Sequence, residues 1–223
     1  MWVIKIGGSL QDSSYLSEWL DIVLQCGGGK VVIVPGGGKF ADAIRQCQIR
    51  NGFDDISAHK MALLAMEQYA RLFKERVPEL QLVDDISAIH ACEVNKRIAV
   101  WLPYKMVVGA SDIPASWEVT SDGLAAWLAI KLQYSSLILV KSVSMPTNYS
   151  TYEELAARGL IDTFLVQLQA DSSLDINWME KNEAELLPAV LKNESSIQEF
   201  KLLNSYKASS SRDIDTEIMN LCP

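Results

Sequence analysis

A chain of 223 residues, 49% of them apolar, can bury a full core without a metal or disulfide staple. Its 28 acidic side chains against 20 basic ones give a formal charge of −8, which excludes an electrostatic footprint for duplex nucleic acid and leaves room only for a local basic pocket. Cys26, Cys47, Cys92 and Cys222 form no CxxC pair and no His–Cys ligand spacing, and no apolar run approaches the roughly 18 residues that span a bilayer. With no charged leader ahead of WVIKIGG, we expect a cytoplasmic protein with reduced thiols, no metal-ligating side chains, and no membrane or nucleic-acid partner.

In chain order, residues 2–6 read as a short apolar strand ending at Gly7-Gly8, and Leu16, Trp19, Leu20, Val23 and Leu24 then recur at helical spacing. Gly27-Gly28-Gly29 breaks that helix. Residues 31–34 form a buried strand, and Pro35 with Gly36-Gly37-Gly38 opens a second helix carrying Phe40, Ala41, Ile44 and Cys47. Residues 58–76 form a long amphipathic helix with Ala62, Ala65, Met66, Tyr69, Ala70 and Phe73 on one stripe. Residues 98–102 and 137–140 are further strands; between them Thr120-Ser121-Asp122 caps a helix carrying Leu124, Leu128 and Leu132. Residues 163–168 read as the last strand. After Asp171 the pattern decays into polar sequence that includes Ser209-Ser210-Ser211. We expect an α/β domain over residues 1–170, with a mainly parallel sheet covered on both faces. Residues 171–223 are a C-terminal extension, partly helical or disordered, which stands apart or completes the domain.

Eight of the 12 glycines fall in the first 38 residues, and two clusters sit between a strand and a helix. Glycine there lets backbone N–H groups approach an anion, and the following helix adds its unpaired donors and positive dipole end. Both loops can cradle phosphate or simply turn tightly. No GxxxxGK[ST] motif is present. Gly36, Gly38 and Ala41 also fit the loose GxGxxA dinucleotide pattern, with Asp54 and Asp55 downstream for a ribose. That reading leaves Lys5 unexplained, because an ammonium in an otherwise apolar strand beside a glycine turn needs an anionic partner or a route to solvent. Lys141, at the end of LILVKSV, raises the same question, and Asp122 either caps its helix or joins the lysines. His59 and His90 have no ligand partners at metal spacing and read as non-catalytic.

Taken together, KIGGSL, VPGGGKFAD, WEVTSDGLAAWLA and LILVKSV resemble the amino acid kinase superfamily, whose members phosphorylate carboxylates, carbamate or phosphate monoesters with ATP. PGGGKFAD, AHKMALLAMEQYA and SWEVTSD are most similar to its furan phosphate kinases of methanofuran and one-carbon cofactor biosynthesis; the resemblance covers roughly residues 1 to 165. It implies a carbamate kinase-like three-layer α/β/α sandwich, ATP and Mg²⁺ as cofactors, a small phosphorylated substrate such as (5-(aminomethyl)furan-3-yl)methyl phosphate, and a homo-oligomer. It further implies that Lys5 and Lys141 bind the transferred phosphoryl group and that Asp122 orients them. Gly7, Gly8 and Ser9 would meet the ATP phosphates, and Gly36, Gly37, Gly38 and Lys39 the acceptor. Where relatives continue after the second lysine with an Asp-Gly pair, this chain has Ser144-Met145-Pro146. That departure keeps open a catalytically silent anion-binding protein of the same fold. A uridylate or isopentenyl phosphate kinase is the other alternative.

Overall fold

The computed structural model describes residues 1–146 and 151–192. The expected serine-rich tail and Cys222 lie outside the described residues, and the other three cysteines are free thiols.

Six strands form one sheet: β1 (Trp2–Ile6), β2 (Val31–Pro35), β3 (Gln81–Val83), β4 (Ala99–Trp101), β5 (Ser136–Lys141) and β6 (Asp175–Glu180). Their order is β3-β4-β2-β1-β5-β6, and every pairing is parallel. The strands are short, β-branched and buried on both sides, which suits a sheet sandwiched between helices. Side-chain alternation divides the core into two clusters. Val3, Val32, Val34, Leu137 and Leu139 face one way, toward α4 (Ile86–Val94), α5 (Tyr104–Val107), α6 (Ser121–Lys131), α7 (Tyr152–Ala157) and α8 (Thr163–Ala170). Ile4, Ile6, Ile33, Ile138 and Val140 face the other, toward α1 (Ser14–Cys26) and α9 (Leu187–Leu191). The three-layer α/β/α arrangement is therefore present.

Between β2 and β3 run α2 (Gly38–Asn51) and α3 (Asp55–Arg76), with α3 giving Leu63 and Met66 to one cluster and Tyr69, Ala70 and Phe73 to the other. The dinucleotide reading fails here. Asp54 caps α3 by accepting from Ser57 N at 2.6 Å, and Asp55 accepts from Gln48, so neither follows a strand where a ribose would lie.

Residues 163–168, expected as a strand, are helical. Asp162 caps α8 by accepting from Leu165 N at 2.7 Å, and a short apolar run with a capping carboxylate in front of it winds into a helix. The last strand comes later, as β6, in a stretch read as pattern decay. It pairs with β5 from Ser136↔Asp175 to Lys141↔Glu180, and Met179 and Leu187 join the α1 side of the core. Among the described residues no helix is long and apolar enough to cross a membrane.

Candidate active site

Because the sheet is parallel, the carboxyl ends of β1, β2 and β5 open on one edge, where chain reversals leave backbone donors free to meet ligands. Gly7 and Gly8 follow β1, Gly36 to Gly38 follow β2, and Ser142 follows β5. The first two loops touch backbone to backbone. A Cβ on Gly8 would lie 2.2 Å from Gly38 N, and one on Gly36 would lie 2.3 Å from Gly8 N, so only glycines let the loops close. Gly38 also takes φ +55°, a left-handed conformation that favours glycine. The first N–H groups of α2 have no carbonyl partner within the helix; that of Lys39 donates to Gln11 Oε1 at 3.0 Å. The side chains of Ser9 and Ser142 hydrogen-bond at 3.0 Å, tying the β1 loop to the end of β5.

Lys5 shares the parity of Val3, and Lys141 that of Leu137 and Leu139, so both lysines stand on the α6 face of neighbouring strands. Asp122, in the first turn of α6, lies between them. Its Oδ1 is 2.8 Å from Lys5 Nζ, its Oδ2 accepts from Lys141 Nζ, and Lys141 also donates to the Leu160 carbonyl at 2.6 Å. Lys5 and Asp122 are buried, at 6% and 4% exposure. Burial alone would push the Asp122 carboxyl up, but the two ammonium groups outweigh it and hold it at about 2. Burial pushes Lys141 down, with Asp122 opposing and Lys5 reinforcing the shift. Two cations and one anion leave a net positive charge in a poorly hydrated place, a setting that draws a further anion.

Asp162 was not anticipated from sequence as a site residue. Its Oδ2 accepts from Thr120 N at 2.8 Å, Thr120 Oγ1 at 2.6 Å and Gly123 N at 2.8 Å, while Oδ1 caps α8. One carboxylate thus caps two helices and fixes the turn that carries Asp122. Burial, then the charge of Asp122, raises its carboxyl above the usual range. The signal lay in an Asp immediately before an apolar run, hidden when that run is read as a strand.

Lys5, Thr120 and Lys141 line a cleft of about 610 Å³ that also receives Gly7, Gly8, Ser9, Gly37, Gly38 and Lys39, while Asp122 and Asp162 stand behind that lining. Gly36 is not among its lining residues and instead packs behind the floor against Gly8. Lys39 ion-pairs with Asp12 at the exposed rim. Beyond the lysines the cleft runs between α2 and α3, reaching Asp42, Arg45, His59, Met66 and Trp117, and Arg45 lies 4.4 Å over the Trp117 ring. His59, read as idle, is thus a wall residue, its imidazole pushed down by burial. His90 pairs with Glu93 on the outer face of α4. Among the described residues no group of three or more His, Cys, Asp or Glu is placed to hold a metal ion.

A lysine–aspartate–lysine cluster between two glycine loops, at the carboxyl edge of a parallel α/β sheet, is a setting that draws anions. The chain belongs to the amino acid kinase family, whose model matches residues 1–146. It is 28% identical over 144 residues to the [5-(aminomethyl)furan-3-yl]methyl phosphate kinase of Methanocaldococcus jannaschii, a match covering 64% of this chain and 66% of that protein, just under two thirds of its length. Among solved structures it is similar to the uridylate kinase of Archaeoglobus fulgidus, with a TM-score of 0.62, 17% identity, and 86% and 95% of the two chains covered. It is also similar to an isopentenyl phosphate kinase, with a TM-score of 0.57, 14% identity, and 86% and 96% covered. At these identities the solved structures speak for the fold.

Proposed function

We propose that the chain is an ATP-dependent small-molecule kinase that transfers a phosphoryl group to a phosphate monoester, with [5-(aminomethyl)furan-3-yl]methyl phosphate as the leading acceptor and methanofuran biosynthesis as its setting. The observation that carries this reading is Asp122 shared by buried Lys5 and half-buried Lys141 at the strand edge, beside two loops whose glycines let their backbones close on each other. The furan assignment draws on the archaeal relative. ATP would supply the γ-phosphoryl group, with magnesium carried on its own phosphate oxygens and water. The donor phosphates would meet Gly7, Gly8 and Ser9, and the acceptor phosphate Gly37, Gly38 and Lys39. An acceptor oxygen forms the new P–O bond as the γ–β bridge breaks, and Lys5 and Lys141 neutralise the charge spreading over the moving group while Asp122 holds them in place. Exposed Ile49, Ile56, Met61 and Leu64 on α2 and α3 suit burial against a second copy of the chain.

The test is ADP release with Mg-ATP and the furan phosphate, alongside uridine monophosphate and isopentenyl phosphate. We expect turnover with the furan and losses on the order of a hundredfold or more in Lys5→Ala and Lys141→Ala. Full activity in both variants would sink the mechanism, and preference for another acceptor would reassign the substrate. No ATP binding by calorimetry with magnesium present would mean a silent protein.

A further inference from the structure

Asp42 belongs to the stripe of α2 that faces the cleft, formed by Gly38, Ala41, Asp42 and Arg45 at positions i, i+3, i+4 and i+7. Its neighbours have partners. Lys39 is paired with Asp12, and the Arg45 guanidinium lies on Trp117 rather than on Asp42. Among the described residues Asp42 itself has no ion pair or side-chain hydrogen bond. An exposed helical aspartate is most often simply solvated. This one, however, stands four residues from Gly38, about 6 Å along the helix axis from the loop that opens toward phosphate. A free carboxylate so close to an anion cradle opposes a purely anionic ligand, and a ligand that brings a cation to that place turns the opposition into attraction.

Across the gap α3 presents His59, Ala62, Leu63 and Met66, and Val119 completes a wall that is apolar but for the His59 imidazole, whose charged form burial disfavours. A flat, uncharged ring fits such a wall, with a phosphate at the glycine end and a cation at Asp42. Resting on the phosphate-monoester reading above, we infer that Asp42 is the counter-ion for a protonated amine on the acceptor and is the residue through which the open end of the cleft selects its substrate. A phosphate and an aminomethyl group on separate arms of one five-membered ring are separated by a distance of the same order as that between Gly38 and Asp42. Aliphatic phosphate esters offer Asp42 nothing and leave its repulsion in place.

The experiment compares the aminomethyl furan phosphate with its analogue lacking the amine, in the full-length wild type and in Asp42→Asn. Because Asp42 is exposed, the substitution is compatible with folding, and a thermal melt verifies it. The expected result is a KM for the amine substrate raised about tenfold or more in Asp42→Asn, with a much smaller change for the analogue and kcat affected little in either case. Equal effects on both compounds, or none on either, overturn the inference. A wild type that turns over neither furan refutes the substrate reading but not this one. Calorimetric binding of 4-(aminomethyl)benzyl phosphate against benzyl phosphate then decides. A preference for the amine that Asp42→Asn abolishes supports the counter-ion role, and equal affinities overturn it.

Discussion

Lys5, Asp122 and Lys141 come from three separate elements and are buried against one another, whereas Asp42, Arg45, His59 and Trp117, at the far end of the same cleft, sit on helical turns and a loop with solvent beside them. The difference is one of replaceability. A buried ion cluster is held together only by its own members, so removing one strands the others in a medium that cannot solvate them. An exposed side chain on a helix already folded for other reasons can be exchanged at little cost. On the proposed function, phosphoryl handling would rest on groups whose loss the fold feels, and acceptor choice on groups whose loss only the ligand feels. The largest effect that tests this division is Asp122→Ala. Two ammonium groups would then face each other without a counter-ion. We expect the unfolding free energy in urea to drop by about 3–5 kcal/mol, with turnover falling at least a hundredfold. Asp42→Asn should leave the urea midpoint where it is. Comparable midpoint shifts in the two variants would erase the contrast.

Asp162 sharpens the comparison, because it belongs to the buried end without facing the ligand. Its carboxylate accepts four hydrogen bonds and caps α6 and α8 together. Gly123 exists on its account, since a Cβ there would lie 2.6 Å from Asp162 Oδ1. Asp162→Ala should cost about 2–3 kcal/mol of stability, the sum of two lost caps and their hydrogen bonds. A positioning role further predicts that kcat falls about tenfold while KM for the acceptor barely moves, because Asp122 loses its fixed turn and the open end does not. A rise in KM with kcat unchanged would instead attach Asp162 to acceptor binding.

The middle of the sheet was legible in the sequence because β1, β2 and β5 are mostly apolar runs, broken in β1 by Lys5, that end at a glycine turn or at Lys141, and those residues also belong to the candidate site. The edges were not. Gln81–Val83 is three residues long with one buried position, and Asp175–Glu180 begins and ends in acids because its ends lie at the sheet's rim. Thr163–Ala170 shows how a helix passes for a strand when its apolar residues cluster within two turns and the cap is overlooked. In the candidate site, Lys5 and Lys141 stand out as charges in or at the end of apolar runs, a signal that needs no tertiary knowledge, whereas Asp122 sits in a polar helix cap and its part came only with the family resemblance. Asp42, Arg45 and His59 give no such signal, since a polar residue on an amphipathic helix is unremarkable until a facing helix turns that surface into a wall.

The smallest expected effect concerns acid. Asp122 has its carboxyl depressed from the ordinary 3.8 to about 2, with Lys5 and Lys141 overcoming the opposing burial. A depressed carboxyl contributes stability that is complete above its unfolded value and is lost as pH falls through the folded one, so this contribution should disappear between about pH 4 and pH 2. Asp162 acts in the opposite sense. Its raised carboxyl means that the folded state holds that proton more tightly than the unfolded chain does, so protonation there favours folding as pH falls. The wild type should accordingly lose only about 1–2 kcal/mol to Asp122 across this interval. In Asp122→Asn, which keeps the side-chain shape but has no proton to bind, the loss attributable to that site should vanish and the acid limb should flatten, measured as urea midpoints at successive pH values. The exposed end supplies the control, because Asp42→Asn should follow the wild-type curve. If Asp122→Asn follows it too, the ion cluster contributes nothing to acid stability, and the distinction between a structurally coupled end and a replaceable one must rest on activity alone.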